Sequence, residues 1–361
     1  MHGAIIAFSW NGLPQYAARL LKHAIKNLGY QAVVIGSRPT VPIEGMEQAL
    51  GQPVHWIDAD SPVSWRDLGM DPPRIFFQSG WAYPGFKQLG REVKSAGGIV
   101  IGLSDANWRR DFRQLVLGAL AFRLIHRRNF DGMIVPGAQG RKLMRYFGVP
   151  DNRIETGMYG ADDDLFTSDS ALHLRPKQFL FVGQFIERKN VLLLCRAFLR
   201  FHVTNPEWKL RLVGSGEQRS LLPEHPQIII EDFVQPEALA EKYRQSRFFV
   251  LPSKVEAWGL VVHEAALCGC GLILSDAVGS ADDLASSENS ISFAPSDEDG
   301  LVSAMIAASN MNQKELSVVQ FSTQRHAANF GKDKFAAAVM TFYNKFFGDD
   351  FRRNMPEDSR R

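Results

Sequence analysis

The feature that most constrains this chain is an alternation. Short uninterrupted apolar runs are each followed by a stretch whose apolar residues recur at helical spacing. The first run, Ala4-Ile5-Ile6-Ala7-Phe8, ends at Asn11-Gly12. From Pro14 to Leu28 the residues Tyr16, Leu20, Leu21, Ile25 and Leu28 share one helical stripe that Gly29 closes, and Ala32-Val33-Val34-Ile35-Gly36 follows as a second run. A strand covered by helices on both faces needs no polar alternation, so this pattern predicts a doubly wound parallel sheet of βαβ units. Further strands are expected at 54–57, 74–78, 99–102 and 132–135, with helices over 108–127 and 138–147.

A polar stretch from Thr167 to Lys177 has no apolar period and reads as a linker. Beyond it the alternation resumes, with strands expected at 179–182, 210–213, 227–230, 248–251 and 271–274 and helices at 191–202, 237–245 and 260–268. The 361 residues exceed what one core usually supports. Two α/β domains, over 1–168 and 175–330, are therefore expected, with a cleft between them. Phe335, Val339, Phe342 and Phe346 form one stripe, which predicts a closing helix over 331–348 that packs back toward the first domain. The charged segment 349–361 is expected to be a mobile tail.

A formal net charge of +2 gives no bulk attraction to nucleic acid, which is not expected as a partner. Three cysteines, Cys195, Cys268 and Cys270, make neither an even framework nor a CxxC pair, so buried thiols in a reducing compartment are expected rather than disulfides or zinc. No apolar run approaches the roughly 20 residues of a membrane span, and the first residues lack the charge and apolar pattern of a signal peptide. A cytoplasmic location is expected. Basic residues are nevertheless clustered: from Asp105 to Pro150 nine cations (Arg109, Arg110, Arg113, Arg123, Arg127, Arg128, Arg141, Lys142, Arg145) face three acids. The stripe from Arg109 to Arg145 suits either a solvated helix face or an anionic membrane surface, the latter making the chain peripheral at the inner face.

The chemistry concentrates in Pro252-Ser253-Lys254-Val255-Glu256-Ala257-Trp258-Gly259-Leu260-Val261-Val262-His263-Glu264-Ala265-Ala266-Leu267-Cys268-Gly269. A buried strand runs into a loop holding Glu256, and Gly259 then opens a helix carrying Glu264. In an open α/β sheet such a junction at the carboxyl edge is where ligands bind. The helix N-terminus offers free N–H groups to a phosphate, and carboxylates accept hydroxyls in pairs. As bare glutamates the two read as surface charges before anything else; their setting decides otherwise.

That setting resembles glycosyltransferase family 4 of the GT-B fold, which has an E-x7-E motif in the context PS-x-x-E-x-W/F-G-L-V-x-x-E-A-x-x-C-G. Glu256 and Glu264 have this spacing. The resemblance spans Phe179 to about Pro295 and continues more weakly over Asp131 to Phe166. It implies two Rossmann-like domains facing a central cleft, with the donor on the second and the acceptor on the first. It further implies a retaining hexosyltransferase that takes a nucleoside diphosphate sugar, needs no metal or other cofactor, and serves a saccharide or lipid-linked acceptor, as in bacterial surface polysaccharide synthesis. Glu264 would hold the donor ribose, Glu256 would hold the transferred sugar or act at its anomeric centre, and the N–H groups of Gly259, Leu260 and Val261 would line sugar and phosphate. His263, beside Glu264 on a helix, points elsewhere and reads as packing.

Gly183-Gln184-Phe185-Ile186-Glu187-Arg188-Lys189-Asn190 resembles the family's G-R-x-x-x-x-K-G. Lys189 falls at the lysine and would meet the departing diphosphate. The family arginine is Gln184 here, which can donate to a phosphate but brings no charge, and the spacing alone does not decide whether Arg188 compensates. By the same resemblance Gly214 lies near the nucleotide, and Phe233 and Val234 near its base. In the first domain Gly12 is what remains of a glycine-rich phosphate loop, and Asp105 is the carboxylate available to orient an acceptor hydroxyl. Asp58-Ala59-Asp60 matches a metal-holding D-x-D pattern by chance alone in this context, and no metal ligand is assigned. The reduced glycine loop and Gln184 keep two alternatives open, a silent GT-B subunit that binds sugar nucleotide or a partner and a GT-B sugar-nucleotide epimerase.

Overall fold

A computed structural model describes residues 6–29, 31–39, 45–106, 108 and 111–354, with side chains through 348. The chain divides into two compact units, Met1–Gly160 with Phe330–Arg361, and Ala161–Asn329. In the first unit β1 (Ile6–Trp10), β2 (Ala32–Gly36), β3 (His55–Trp56), β4 (Ile75–Ser79), β5 (Ile99–Leu103), β6 (Gly132–Val135) and β7 (Ile154–Thr156) pair in parallel in the order β3-β2-β1-β4-β5-β6-β7. In the second, β8 (Gln178–Val182), β9 (Lys209–Val213), β10 (Ile228–Glu231), β11 (Phe248–Leu251), β12 (Gly271–Ser275) and β13 (Ser290–Phe293) give the parallel order β10-β9-β8-β11-β12-β13. This is the GT-B fold.

Covering both faces of each sheet explains the continuous apolar runs. In β1, Ile6 and Phe8 enter one core cluster with Leu20, Leu21, Phe335, Val339 and Phe342, while Ala7 enters the opposite cluster with Phe76, Phe86 and Trp65. The helices Gln15–Leu28 and Lys332–Asn354 thus pack on one face of the first sheet, each fully buried aromatic or aliphatic side chain contributing about 1.5–3 kcal/mol. Gly132 permits the second of these contacts: a Cβ there would meet Phe342 Cε1 at 2.3 Å.

Several boundaries differ from the sequence expectation. The units divide at 160–161, before the polar 167–177 segment, because Ala161 is already tied into the second unit by its N–H, which donates to His263 Nδ1 at 2.9 Å. The closing helix runs past 348 to Asn354 and so takes in the start of the expected tail; residues 355–361 lie outside the described residues. The edge strands β7 and β13 were not expected. The 108–127 helix instead forms from Arg113 as two wide-turned π segments, Arg113–Gly118 and Phe122–His126, around Ala119–Ala121. Ala4 and Ile5 of the first run, and Arg109 and Arg110 of the basic stripe, lie outside the described residues. Among the described residues no helix is long and apolar enough to cross a membrane.

Each sheet has one point where the winding reverses, between β1 and β4 in the first unit and between β8 and β11 in the second. Chains leave both strands of such a pair in opposite directions, opening a crevice at their carboxyl ends where ligands of α/β proteins bind.

Candidate functional site

The segment leaving β8 carries Gly183, Gln184, Arg188 and Lys189, and the segment leaving β11 carries Glu256. The side chains of Lys189, Arg188 and Glu256 meet at the reversal point. Lys189 Nζ donates to Glu256 Oε2, and Arg188 Nη1 lies 3.5 Å from the same oxygen. The Lys189 and Glu256 side chains are each only 11% exposed, while Arg188 is 43% exposed. One carboxylate therefore faces two cations, leaving an excess of positive charge. A buried ion left unpaired costs several kcal/mol, so Lys189 and Glu256 hold each other in place.

Local structure fixes both partners. Lys189 ends a single 3-10 turn (Glu187–Lys189), and Asn190 then adopts φ 58°, a left-handed conformation that asparagine tolerates better than most side chains. Asn190 Nδ2 donates to Pro295 O at 2.7 Å, locking the turn from which helix Val191–His202 begins. The β11 loop is tied to the same turn, since Lys254 N–H donates to Arg188 O at 2.8 Å and Arg188 Nη1 to Val255 O at 3.1 Å. Glu256 pairs as an isolated bridge with Val278, and Ser253 Oγ donates to its carboxylate at 3.4 Å.

Glycines bring the backbone close. Gly183 after β8 and Gly214 and Gly216 after β9 have φ of 155°, 149° and 153°. A Cβ on Gly214 would lie 1.9 Å from Gly183 O, and one on Gly216 2.5 Å from Phe185 O. No other residue fits these turns. Gln184 is exposed, and Phe233 and Val234 follow β10, the edge strand on the same side of the sheet.

Gly259 (φ 89°) opens helix Leu260–Leu267, so the N–H groups of Leu260 and Val261 sit in its first turn. Glu264 projects one turn further on and is buried. Tyr243 Oη donates to Glu264 Oε2 at 2.8 Å. Burial pushes the Glu264 carboxyl up to about 7, against the lowering effect of that hydrogen bond. Tyr243 itself is driven well above its ordinary value by burial and by Glu264. Sequence reasoning missed Tyr243, which lies in the charged run Glu241-Lys242-Tyr243-Arg244 and gives no outward sign of its buried partner. His263 is buried, accepting from Ala161 N–H and donating from Nε2 to Ala327 O at 3.0 Å; burial lowers its pKa to about 4, so it is neutral and committed to backbone.

The residues assigned to the first unit sit in a different setting. Gly12 (φ 57°) donates its N–H to Ser37 Oγ at 2.7 Å. Asp105, exposed after β5, accepts from Tyr159 Oη at 3.3 Å. Asp58 caps its own turn, accepting from Asp60 N–H at 3.1 Å and Ser61 Oγ at 2.5 Å.

Residues 176–310 match the family described as "Glycosyl transferases group 1". That span lies wholly within the second unit, Ala161–Asn329. D-inositol 3-phosphate glycosyltransferase of Rhodococcus opacus (strain B4) is 26% identical over 224 residues, which are 56% of this chain and 50% of that protein. The chain thus spans about half the length of the curated relatives it matches. The fold matches over nearly the whole chain: a glycosyltransferase from Rickettsia africae ESF-5 aligns with TM-score 0.74 at 11% identity, covering 96% of this chain and 99% of that one. Anabaena Alr3699/HepE, in a complex with UDP and glucose, aligns with TM-score 0.71 at 15% identity, covering 94% and 99%.

Proposed function

We propose that this chain is a retaining family 4 glycosyltransferase that moves a hexose-type sugar from a nucleoside diphosphate sugar to a hydroxyl of a saccharide or glycolipid acceptor, in the building of a surface polysaccharide. The observation that carries the reading is the meeting of Lys189, Arg188 and Glu256 at the reversal point of the second sheet, within the span that matches the family described as "Glycosyl transferases group 1". A diphosphate leaving group gains negative charge as the glycosidic bond breaks, and fixed cations aimed at it stabilise the transition state. Lys189 and Arg188 supply that charge, Arg188 standing in for the cation absent at Gln184, so no metal is called on for this role.

In this reading the diphosphate replaces Glu256 as partner of Lys189, which frees the Glu256 carboxylate for hydroxyls of the transferred sugar and for positive charge developing at its anomeric carbon. The Gly183, Gly214 and Gly216 turns, with Gly214 and Gly216 packed too closely on neighbouring backbone for a Cβ, offer the phosphates bare backbone, and the N–H groups at Gly259, Leu260 and Val261 add donors. Glu264, oriented by Tyr243, accepts the ribose hydroxyls, and Phe233 and Val234 flank the base. On the first unit, Gly12 is assigned as the remnant of a phosphate loop and Asp105 as the carboxylate for an acceptor hydroxyl, both by the family resemblance alone. The UDP and glucose of the Anabaena structure make UDP-glucose the first donor to try.

The test offers the purified protein a panel of nucleoside diphosphate sugars and records both binding and slow donor hydrolysis. Micromolar to millimolar binding of one donor with measurable hydrolysis is expected. Absence of binding across the panel, or binding without any turnover when acceptors are supplied, would overturn the transferase reading.

A further inference from the structure

The helical stretch between β5 and β6 is turned inside out. Its inward face buries one large apolar side chain, Phe122, beside Gln114 and Ala119. Its outward face is apolar: Phe112 is 71% exposed, Leu120 51%, Leu124 76% and Ile125 61%. A surface helix of a globular protein normally shows the reverse arrangement. With Leu117, 57% exposed, these side chains recur along both π segments and the turn between them. Single exposed apolar residues need no explanation, but a contiguous strip marks an interaction surface.

The surroundings decide what meets it. Arg113, Arg123 and Arg128 are exposed along the same stretch. Arg123 is held in place, its guanidinium donating to Tyr146 O at 2.5 Å. Tyr146 Oη in turn donates to Leu115 O at 2.8 Å, fixing the stretch to helix Ala138–Tyr146. Burial lowers the pKa of His126 at the end of the stretch, and Lys87 and Arg91 of the neighbouring helix Pro84–Ser95 lower it further by adding positive potential. Of the nearby acids, Asp111 accepts the Gln114 N–H, and Asp131 and Asp151 are paired with Lys94 and Arg141. A protein partner with an apolar face would have to bury the arginine fringe, and a second copy would set like charges against each other. A phospholipid interface takes the apolar side chains into its acyl boundary and the guanidinium groups onto its phosphates.

We propose that the 112–128 stretch docks this protein on an anionic phospholipid surface, with Phe112, Leu120, Leu124 and Ile125 entering the headgroup boundary and Arg113, Arg123 and Arg128 on lipid phosphate. The surface lies outside the donor site and does not depend on how that site is read. It gives a physical reason why a lipid-linked acceptor would be within reach.

The full chain is floated with phosphatidylcholine vesicles and with vesicles of equal parts phosphatidylcholine and phosphatidylglycerol, at low and high salt. Binding to the anionic vesicles alone, weakened by salt, is expected. Leu124→Glu with Ile125→Glu should lower the partition coefficient at least about 10-fold, and Arg113→Gln with Arg128→Gln by about 5-fold per charge. Both pairs are exposed, so melting temperature and donor binding should be unchanged. Failure to float at low salt, flotation indifferent to the glutamate pair, or a dimer that the glutamate pair disperses without any vesicle binding would each overturn the proposal.

Discussion

The two sheets repeat one topology, yet their reversal points are furnished differently. In the second unit the crevice between β8 and β11 holds Lys189, Arg188 and Glu256, and the turns after β8 and β9 carry glycines whose backbone conformations exclude other residues. Between β1 and β4 in the first unit the corresponding ends are closed by neutral hydrogen bonds. Ser79 N–H donates to Ser9 Oγ at 2.8 Å, Asn11 N–H to Ser79 Oγ at 3.1 Å, and Ser37 Oγ, already bound to Gly12, donates to Asn11 Oδ1 at 2.9 Å. The fold supplies a crevice twice. Charge and bare backbone, not topology, distinguish the one suited to a phosphorylated ligand.

Glycine substitutions test that difference most severely. Gly214→Ala should destabilise by about 3–5 kcal/mol, since it adds a Cβ against Gly183 O to an unfavourable φ, whereas Gly12→Ala, with its nearest neighbour Pro39 Cα at 3.8 Å, should cost about 1 kcal/mol. Denaturant unfolding of both variants checks the contrast, and equal losses would break it. Next in size, Glu256→Gln should lower kcat about 100- to 1,000-fold with a smaller change in KM, as for loss of a group acting on transition-state charge. A pure KM effect would make Glu256 a binding residue only.

The raised Glu264 pKa predicts a smaller, pH-dependent effect. Between the ordinary 4.5 and about 7 the folded protein retains a proton that the unfolded chain has released. Stability therefore falls as pH rises through that window, by up to about 3 kcal/mol, and levels off above it. Donor binding should strengthen over the same window as the carboxylate ionises. Glu264→Gln should flatten both profiles, and an unchanged profile would show that another group titrates. Smallest of all, Ser37→Ala should cost about 1–2 kcal/mol and leave donor affinity within about two-fold, because it removes two neutral hydrogen bonds of the closed crevice.

How much of this was legible in the sequence follows from what each element buries. Strands covered on both faces, such as Phe248–Leu251 and Gly132–Val135, leave continuous apolar runs and were read to the residue. Edge strands Ile154–Thr156 and Ser290–Phe293 pair on one side only and mix polar with apolar residues, so they left no such run. Glu256, Glu264 and Lys189 were visible through motif spacing. The contact of Lys189 with Glu256 was not, because the two lie on segments 67 residues apart that only the sheet order joins. Tyr243 and Asn190 were invisible for a related reason: one acts through a partner on another helix, the other through a backbone angle. Helical periodicity placed a helix near 108–127 but gave no hint that its apolar face points outward.

The central claim is that Lys189 at the second reversal point receives the donor diphosphate. Calorimetric titration of UDP and of uridine into the wild type and Lys189→Ala tests it directly, since the two ligands differ only in the diphosphate. The account predicts that the substitution weakens UDP by about 10- to 150-fold, the 1.5–3 kcal/mol of a charge-assisted contact, and leaves uridine unchanged. Equal UDP affinity in the two proteins, or an equal loss for uridine, would contradict it.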